Sequence, residues 1–251
     1  MPRVKLSEYR SKVLLSNAFK NEYKGISVNL QKPIEPQLKK LSLRSSYVVK
    51  VDQAVKKRNK LGLVFLNRTK ALVIKDLQYI KKKGYVWGLV EPFVTHERGD
   101  ERYIALQRTP DGVLLSYSEK GGVDIEDNKD SVMECMLDHF GFTVKPNTTS
   151  LPNDVLQKLY ELFQDVHMTF LEINPAILHD TSFTPLDAAV EVDSSANFFI
   201  SGSWTSEDMR VASRLSVEER AVEELASKSP ASFNLKLLNK DGAVLIERSS
   251  S

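Results

Sequence analysis

The 251-residue chain is 41% apolar and 27% charged, a balance typical of a globular protein with a buried core. No stretch approaches the roughly 18 uncharged apolar residues of a membrane span, and the N-terminus lacks the apolar segment of a signal peptide, so we expect a cytoplasmic protein without membrane contact. Because Cys135 is the single cysteine, an internal disulfide and an all-cysteine metal site are excluded.

The net charge of +2 conceals an uneven distribution. Residues 1–83 hold 21 Lys and Arg against 5 Asp and Glu, whereas the remaining residues hold 14 against 28. A basic region of this kind favours a polyanionic partner, either nucleic acid, an acidic surface or nucleotide phosphates, although most of these lysines are expected simply to be solvated. Nucleic acid is not expected, because the basic region lacks interleaved aromatic residues and any known nucleic-acid-binding module.

The first half of the chain alternates helical and extended patterns. Residues 7–22 predict a helix with Ser7 as a candidate cap and apolar positions at helical spacing. Residues 46–52 are short and β-branched, which predicts a strand, and residues 69–83 predict a second helix. A strand is predicted over 86–94, and Pro92 should end it or place it at an edge. The predicted buried stripes are Tyr9, Val13, Leu14, Ala18 and Phe19 in the first helix, and Leu72, Ile74, Leu77 and Ile80 in the second.

The second half contains two hairpin patterns and an amphipathic helix. Residues 102–118 predict a hairpin turning at Pro110-Asp-Gly112, and residues 153–166 predict a helix with one apolar face. Two further strands are predicted over 169–175 and 185–192. A last helix over about 217–227, which begins with a capping box from Ser216 to Glu219, and a hairpin over 233–248 complete the pattern.

Helices and mostly antiparallel strand pairs therefore alternate irregularly, which predicts an α+β fold rather than a doubly wound sheet. The sequence contains no Walker phosphate loop, GxGxxG, HExxH or GxSxG motif. A nucleotide site, if present, must be built in another way.

A candidate metal site lies around Glu172, Asn174 and Asp187. Glu172 and Asn174 are two residues apart on a predicted strand and so point to the same face, and Asp187 can approach them if the two strands pair. Their oxygens suit Mg²⁺, which takes one or two protein oxygens together with phosphates and water. On spacing alone, a solvent-facing polar strand edge is an equal alternative.

Five motifs occur in the order found in one enzyme family. They are Val48-Val-Lys-Val-Asp-Gln53, Lys56-Lys-Arg-Asn-Lys-Leu-Gly-Leu-Val64, Val90-Glu-Pro-Phe-Val94, Gly121-Gly-Val-Asp124 and Leu171-Glu-Ile-Asn-Pro175. Over roughly residues 5–245 the chain resembles the N-terminal ATP-grasp region of the ATP-citrate lyase large (α) subunit and, more distantly, the β subunit of succinyl-CoA synthetase. The resemblance implies an ATP-grasp fold of two α/β lobes with mostly antiparallel sheets.

The resemblance also implies roles for individual residues. Lys50 would reach the nucleotide phosphates, and Arg58, next to Asn59, would lie in a loop that closes over them. Glu91, Pro92 and Val94 would form the hinge whose backbone contacts adenine. Glu101 would accept from the ribose, and Asn174 and Asp187 would hold Mg²⁺, with Glu172 beside them on the strand. Lys50 as an edge-strand lysine and Glu101 as a polar residue opening a hairpin are the structural alternatives.

The implied domain is residues 1–202, with one lobe at about 20–95 and the other at about 96–202 plus 1–19. Residues 203–251 would be a C-terminal helix and short hairpin at the start of an acid-binding domain that this sequence does not contain. The chain departs from the family at Asn59, where a glycine is usual, at Val51, where a proline is usual, and in the shortened segment Trp204-Thr-Ser-Glu-Asp208.

Sequence elements that the family uses for the later steps of the reaction are not recognised in this sequence. The histidines, at 96, 139, 167 and 179, match no phosphohistidine motif, and no CoA-binding region is recognised. We therefore expect a hetero-oligomer that is inactive without a partner chain carrying the phosphohistidine, CoA-binding and citrate-binding elements. The full complex would make acetyl-CoA and oxaloacetate from citrate, CoA and ATP. The alternatives are a non-catalytic nucleotide-binding regulatory module, which Asn59 favours, and a succinyl-CoA synthetase-like subunit.

Overall fold

A computed structural model describes residues 3–55, 57–122, 129–138, 150–179, 182–198, 200 and 202–209, with six single positions between 218 and 235. The chain divides into two compact units, Met1–Arg210 and Val211–Ser251. The predicted C-terminal helix and final hairpin fall in the second unit, almost wholly outside the described residues. The domain boundary expected at residue 202 stays a prediction.

The first unit contains a large sheet in which every described pairing is antiparallel. Its strands are β1 Arg3–Lys5, β6 Glu101–Thr109, β7 Gly112–Ser118, β8 Met133–Leu137, β9 Met168–His179, β10 Ser182–Pro185 and β11 Ala188–Asp193. They lie in the order β1-β11-β9-β6-β7-β8, and β10 pairs with β9.

A smaller antiparallel sheet consists of β2 Ile26–Asn29, β3 Tyr47–Val51, β4 Val64–Arg68 and β5 Trp87–Pro92. Its strand order is β2-β5-β3-β4. All five residues of β3 are buried: Tyr47, Val49 and Val51 belong to the apolar core of the small sheet, and Lys50 faces the opposite side, where it contacts Glu8 and Glu91. The side chain of Lys50 on β3 is therefore carried into the interior.

Three α-helices of the described residues cover the two sheets: α1 Glu8–Ala18, α2 Lys70–Lys82 and α3 Asn153–Asp165. The first and third pack with the large sheet, and the second packs with the small one. Each sheet has its own apolar core. Among the described helices, none is long and apolar enough to span a lipid bilayer.

The fold class and most of the predicted elements are confirmed. The chain is mixed α/β with mostly antiparallel sheets, Ser7 caps α1 by accepting from the Arg10 amide at 3.0 Å, and Pro92 ends β5. The β6–β7 hairpin turns where Pro-Asp-Gly predicted, with Thr109 opposite Gly112.

Three details of the predicted elements were wrong. The two strands expected over 169–192 are three, because Ser182–Pro185 pairs antiparallel with the end of β9 as a separate strand, β10, before β11. In α2 the structure buries Leu77 and Ile80 as predicted and packs Ile74 partly against the core, but it buries Val73 and Asp76 in place of Leu72. In α1 it buries Glu8, Ser11, Lys12, Leu14 and Leu15, and only Leu14 belongs to the predicted stripe.

Candidate functional site: a charged cleft

A cleft with a volume of about 840 Å³ gathers most of the predicted site residues. Seven of them line it: Lys50, Arg58, Asn59, Glu101, Glu172, Asn174 and Asp187. The three hinge residues, Glu91, Pro92 and Val94, are not among the described residues that line it. The cleft therefore combines groups from the small sheet with groups from the large one.

Lys50 lies at the inner end of this cleft and is 5% exposed. Its Nζ lies 2.8 Å from Glu8 Oε1 and 2.8 Å from Glu91 Oε1, and it donates to the Leu186 carbonyl at 2.6 Å. Burial lowers the pKa of this ammonium, but the charges of the two carboxylates outweigh burial and raise the pKa above its ordinary value. Lys50 is thus a buried, permanently charged group with three oxygen partners.

Arg58 is held by the turn that leads into β4. The Leu63 amide donates to the Arg58 carbonyl at 2.9 Å, and the guanidinium Nη1 donates to the Val51 carbonyl at 2.8 Å. Its Nη2 donates to both carboxylate oxygens of Asp187 at 2.9 and 3.0 Å and lies 2.6 Å from Glu8 Oε2. The predicted phosphate-binding arginine and the predicted metal-binding aspartate are therefore paired with each other.

Two members of this cluster, Glu8 and Lys12, were missed by sequence reasoning. Lys12 is fully buried, and its Nζ contacts Glu8 at 2.9 Å, Glu91 at 2.7 Å and the Leu186 carbonyl at 2.7 Å. An available signal was the spacing of Glu8, Lys12 and Leu15, which places an acid, a base and an apolar residue on one helical face. That face is the buried one.

The candidate metal ligands converge where β9 meets the turn before β11. The backbone amide of Asn174 donates to the backbone carbonyl of Asp187 at 3.2 Å, and the backbone amide of Gly122 donates to the side-chain oxygen Oδ1 of Asn174 at 2.6 Å. Glu172 lies two residues away on β9 and lines the same cleft. Over the part of the chain that the structure describes, no group of three His, Cys, Asp or Glu side chains could hold a metal ion by itself.

Two glycines bring the chain close to these groups. A side chain at Gly121 would collide with the Arg102 backbone, at 2.6 to 2.9 Å from its atoms, and Gly122 has φ +96°, which other residues rarely adopt. The Gly122 amide is thereby directed at Asn174. The rest of the predicted motif, Val123 and Asp124, lies outside the described residues.

Glu101 is engaged by His96 at another part of the cleft. His96 Nε2 lies 3.0 Å from Glu101 Oε1, and Nδ1 lies 2.9 Å from the Val94 carbonyl oxygen. A carbonyl and a carboxylate only accept hydrogen bonds, so this geometry favours the doubly protonated form of the His96 ring, in which both nitrogens donate. Burial lowers the pKa of His96, but its hydrogen bonds to Val94 and Glu101 and the charges of Glu101 and Asp100 raise it.

The hinge residues have other partners. Glu91 is 7% exposed, and its carboxylate accepts from Lys12 and, at 2.7 Å, from the Tyr23 hydroxyl. Pro92 pairs with Tyr47 at the end of β5, and the Val94 carbonyl accepts from His96. Their contact with adenine stays a prediction.

Asn59 is exposed on the basic turn. The positive φ angles of this turn fall at Lys57 (56°) and Gly62 (66°) rather than at Asn59. What the departure from glycine adds is therefore the bulk of a side chain at the mouth of the cleft.

Comparison with known proteins decides the family. Residues 3–204 match the family model of the ATP-citrate synthase ATP-grasp domain. The chain belongs to this family. It is 31% identical to the ATP-citrate synthase alpha chain protein 2 of Arabidopsis thaliana, over 97% of this chain and 64% of the relative. It is 29% identical to the ATP-citrate synthase of Mus musculus, over 80% of this chain and 21% of the relative.

A solved structure shows the same ATP-grasp fold. The ATP citrate lyase of Methanothrix soehngenii, described in complex with citrate and coenzyme A, superposes with a TM-score of 0.74 at 22% identity, over 96% of this chain and 64% of that one. The chain thus spans about a fifth of the length of the animal relative and less than two thirds of the plant and archaeal ones. The ATP-grasp assignment implies use of ATP by this domain.

Proposed function

We propose that the cleft binds Mg·ATP, and that the chain acts as the nucleotide-binding part of an ATP-citrate lyase-type acyl-CoA ligase. Its reaction step would be transfer of the γ-phosphoryl group to a histidine on a partner chain. In the full complex, citrate, CoA and ATP would then give acetyl-CoA and oxaloacetate. The family match at residues 3–204 supports the class of enzyme.

One observation carries the proposal. Two cations, Lys50 and Arg58, line the same 840 Å³ cleft as the oxygen-bearing groups of Glu172, Asn174 and Asp187. Cations on one side and hard oxygen ligands on the other are what a metal-bound polyphosphate requires. The alternative of a solvent-facing polar strand edge does not account for this combination of groups.

The donor set fits magnesium. Asn174 offers an amide oxygen, and Glu172 and Asp187 offer carboxylates, all of them hard oxygen ligands. The Asp187 side chain is 39% exposed, so it can exchange Arg58 for another partner at low desolvation cost. Asn174 and Asp187, with Glu172 beside them, would hold the ion, which when bound neutralises charge on the β- and γ-phosphates.

The chain's own residues would act by position and charge. Lys50 and Arg58 would stabilise the charge on the phosphate oxygens, while Glu101 would orient the ribose. In the transfer, the bond between the γ-phosphorus and the β,γ-bridging oxygen breaks and a bond from that phosphorus to the partner's histidine nitrogen forms. ADP leaves with the bridging oxygen. Such transfers depend mainly on alignment and on electrostatic stabilisation.

The partner chain and the cytoplasmic location are parts of the same proposal. The plant relatives are named as alpha chains of ATP-citrate synthase, which supports a hetero-oligomer. Among the described residues, His96 contacts the Val94 carbonyl and Glu101, so both of its ring nitrogens are already engaged. This arrangement is consistent with a phosphate-accepting histidine that is supplied by another chain.

Calorimetric titration with ADP and ATP, with and without Mg²⁺, tests the proposal. Wild type should bind both nucleotides, and more tightly with Mg²⁺. Asp187→Asn should weaken Mg·ATP binding by about tenfold, about 1.4 kcal/mol, because it removes a charged metal ligand. Asp154→Asn is the matched control, since the same change on the exposed face of α3 should leave binding unchanged. No heat with either nucleotide, in a folded protein, would refute the proposal.

The non-catalytic regulatory module is the second candidate, and the exposed Asn59 at the cleft mouth favours it. The catalytic proposal and the regulatory module both predict nucleotide binding, and only the catalytic proposal predicts transfer of the phosphoryl group. Incubation of the full complex with γ-labelled ATP should label the partner's histidine under the catalytic proposal. Tight nucleotide binding without label would select the regulatory module instead.

A further inference from the structure

The carboxylate of Glu8 is contacted by three cations in the cleft. Its side chain is 3% exposed, and its oxygens lie 2.9 Å from Lys12 Nζ, 2.8 Å from Lys50 Nζ and 2.6 Å from Arg58 Nη2. Burial raises the pKa of Glu8, but the charges of Arg58, Lys12 and Lys50 outweigh burial and hold the pKa well below its ordinary value. Glu8 is therefore an ionised carboxylate wedged between the two cations assigned to the phosphates.

The helix fixes Glu8 in this position. Glu8 is the first residue of α1, and its amide donates to Asp52 Oδ1 at 2.6 Å, while Ser7 caps the same turn. Asp187, the other carboxylate on Arg58, is 39% exposed. An entering phosphate can thus displace Asp187 into solvent, whereas displacing the buried Glu8 carboxylate would also break its ion pairs with Lys12 and Lys50.

The ion pairs around Glu8 are balanced in charge. Lys12, Lys50 and Arg58 carry three positive charges, and Glu8, Glu91 and Asp187 carry three negative charges. Asp52, close by, faces the amides at the N-terminus of α1, whose partial positive charge offsets it. The inner part of the cleft therefore has no surplus cation to offer a polyphosphate.

We propose that Glu8 determines nucleotide specificity by making the cleft select metal-bound polyphosphates over metal-free ones. This inference rests on the proposed function of the cleft. Metal-free ATP brings its full negative charge against a fixed carboxylate, whereas Mg²⁺ neutralises part of that charge and takes up Asp187 as a ligand. Lys50 and Arg58 keep other partners, Leu186 and Val51, so removing the charge of Glu8 should strengthen their attraction for phosphate without releasing them.

The test is the ratio of dissociation constants for ADP in EDTA and in Mg²⁺, measured by calorimetry. Glu8→Gln keeps the size of the side chain and removes its charge. It should lower the ratio by at least about fivefold, mainly through tighter binding in EDTA. Glu8→Asp keeps the charge and should retain most of the ratio, and it serves as the measurable variant if Glu8→Gln melts below the assay temperature. Glu35→Gln, an exposed carboxylate of the small-sheet lobe, is the control for net charge.

A double variant separates charge from packing. Glu8→Gln combined with Lys12→Met removes one charge of each sign, so the ion pairs around position 8 again have no net charge. The ratio of ADP dissociation constants in EDTA and in Mg²⁺ should therefore return toward the wild-type value. A merely structural role for Glu8 predicts the opposite, since the double variant loses more contacts than the single one.

The outcomes separate this inference from the proposed function. If wild type binds ADP in neither condition, the proposed function fails, and the inference fails with it. If wild type shows a strong Mg²⁺ dependence that Glu8→Gln leaves unchanged, the inference alone is overturned. Tighter binding by Glu8→Gln in EDTA, with recovery in the double variant, supports it.

Discussion

Asp52 provides a test of how the cleft is held together. It follows β3 in the small sheet, is 1% exposed, and accepts from the Glu8 amide at 2.6 Å and from the Tyr9 amide at 3.4 Å. These are amides of the first turn of α1, which packs with the large sheet. Replacing Asp52 by alanine therefore removes the hydrogen-bond acceptor of the Glu8 and Tyr9 backbone amides. It also removes a negative charge that interacts favourably with the positive end of the helix dipole.

The expected loss of stability follows from these contacts. Loss of a helix N-terminal acceptor costs about 0.5–2 kcal/mol, and a buried donor left without a partner costs about 1–3 kcal/mol. The two estimates describe the same contact and overlap, so Asp52→Ala should lower the free energy of unfolding by about 2–3 kcal/mol. For a chain of this size that corresponds to a melting temperature lower by roughly 4–12 °C. Asp52→Asn keeps an acceptor and should lose about half as much.

Thermal unfolding followed by circular dichroism measures this effect. Ser7→Ala, which removes the other cap of α1, is the comparison, with an expected loss of about 1 kcal/mol. Because Glu8 opens the same helix, Asp52→Ala should also weaken Mg·ADP binding at temperatures where it is still folded. A melting temperature within about 1 °C of wild type would refute the reasoning.

The remaining predictions concern the mouth of the cleft and its pH dependence. Asn59→Gly should strengthen Mg·ATP binding, because it removes a side chain from the basic turn, and an unchanged or weaker affinity by calorimetry would show that the turn has adapted to asparagine. Because the pKa of His96 is raised on folding, its contribution to stability is full below its ordinary pKa of about 6.5 and is lost as the pH rises through the raised value. The melting temperature of His96→Gln should accordingly fall furthest below wild type at acidic pH and approach it at alkaline pH, and a difference independent of pH would contradict the assignment.

Elements with strong local patterns could be predicted from the sequence. The β6–β7 hairpin and α3 follow from a Pro-Asp-Gly turn and an apolar stripe, and both patterns act within a few residues. β2 and β8 were not predicted, because short strands are defined by the neighbours with which they pair. The third strand of the 168–193 region was missed for the same reason, since β10 exists only by pairing back on β9.

The site shows the same limit. Lys50, Arg58, Asn174 and Asp187 could be named from motifs, but the motifs do not state which charges meet. Lys12 contacts Glu91, which is 79 residues away in the sequence, and Leu186, which is 174 residues away. A local sequence pattern cannot predict contacts between residues so far apart in the chain. A lysine and a glutamate on an N-terminal helix are ordinarily solvated, so only the tertiary fold shows that these two are buried in the cleft.

The central claim is that Lys50, Arg58, Asn174 and Asp187 together hold a metal-bound nucleotide. The most direct measurement is a crystal structure of the chain with ADP and Mn²⁺, which replaces Mg²⁺ at octahedral oxygen sites and can be located by its anomalous scattering. We predict a manganese peak coordinated by Asn174 and Asp187, with the diphosphate between that peak and Lys50, and with Arg58 moved from Asp187 to a phosphate oxygen. Nucleotide bound elsewhere, or a cleft in which Arg58 still pairs with Asp187 beside bound ADP, would contradict the account.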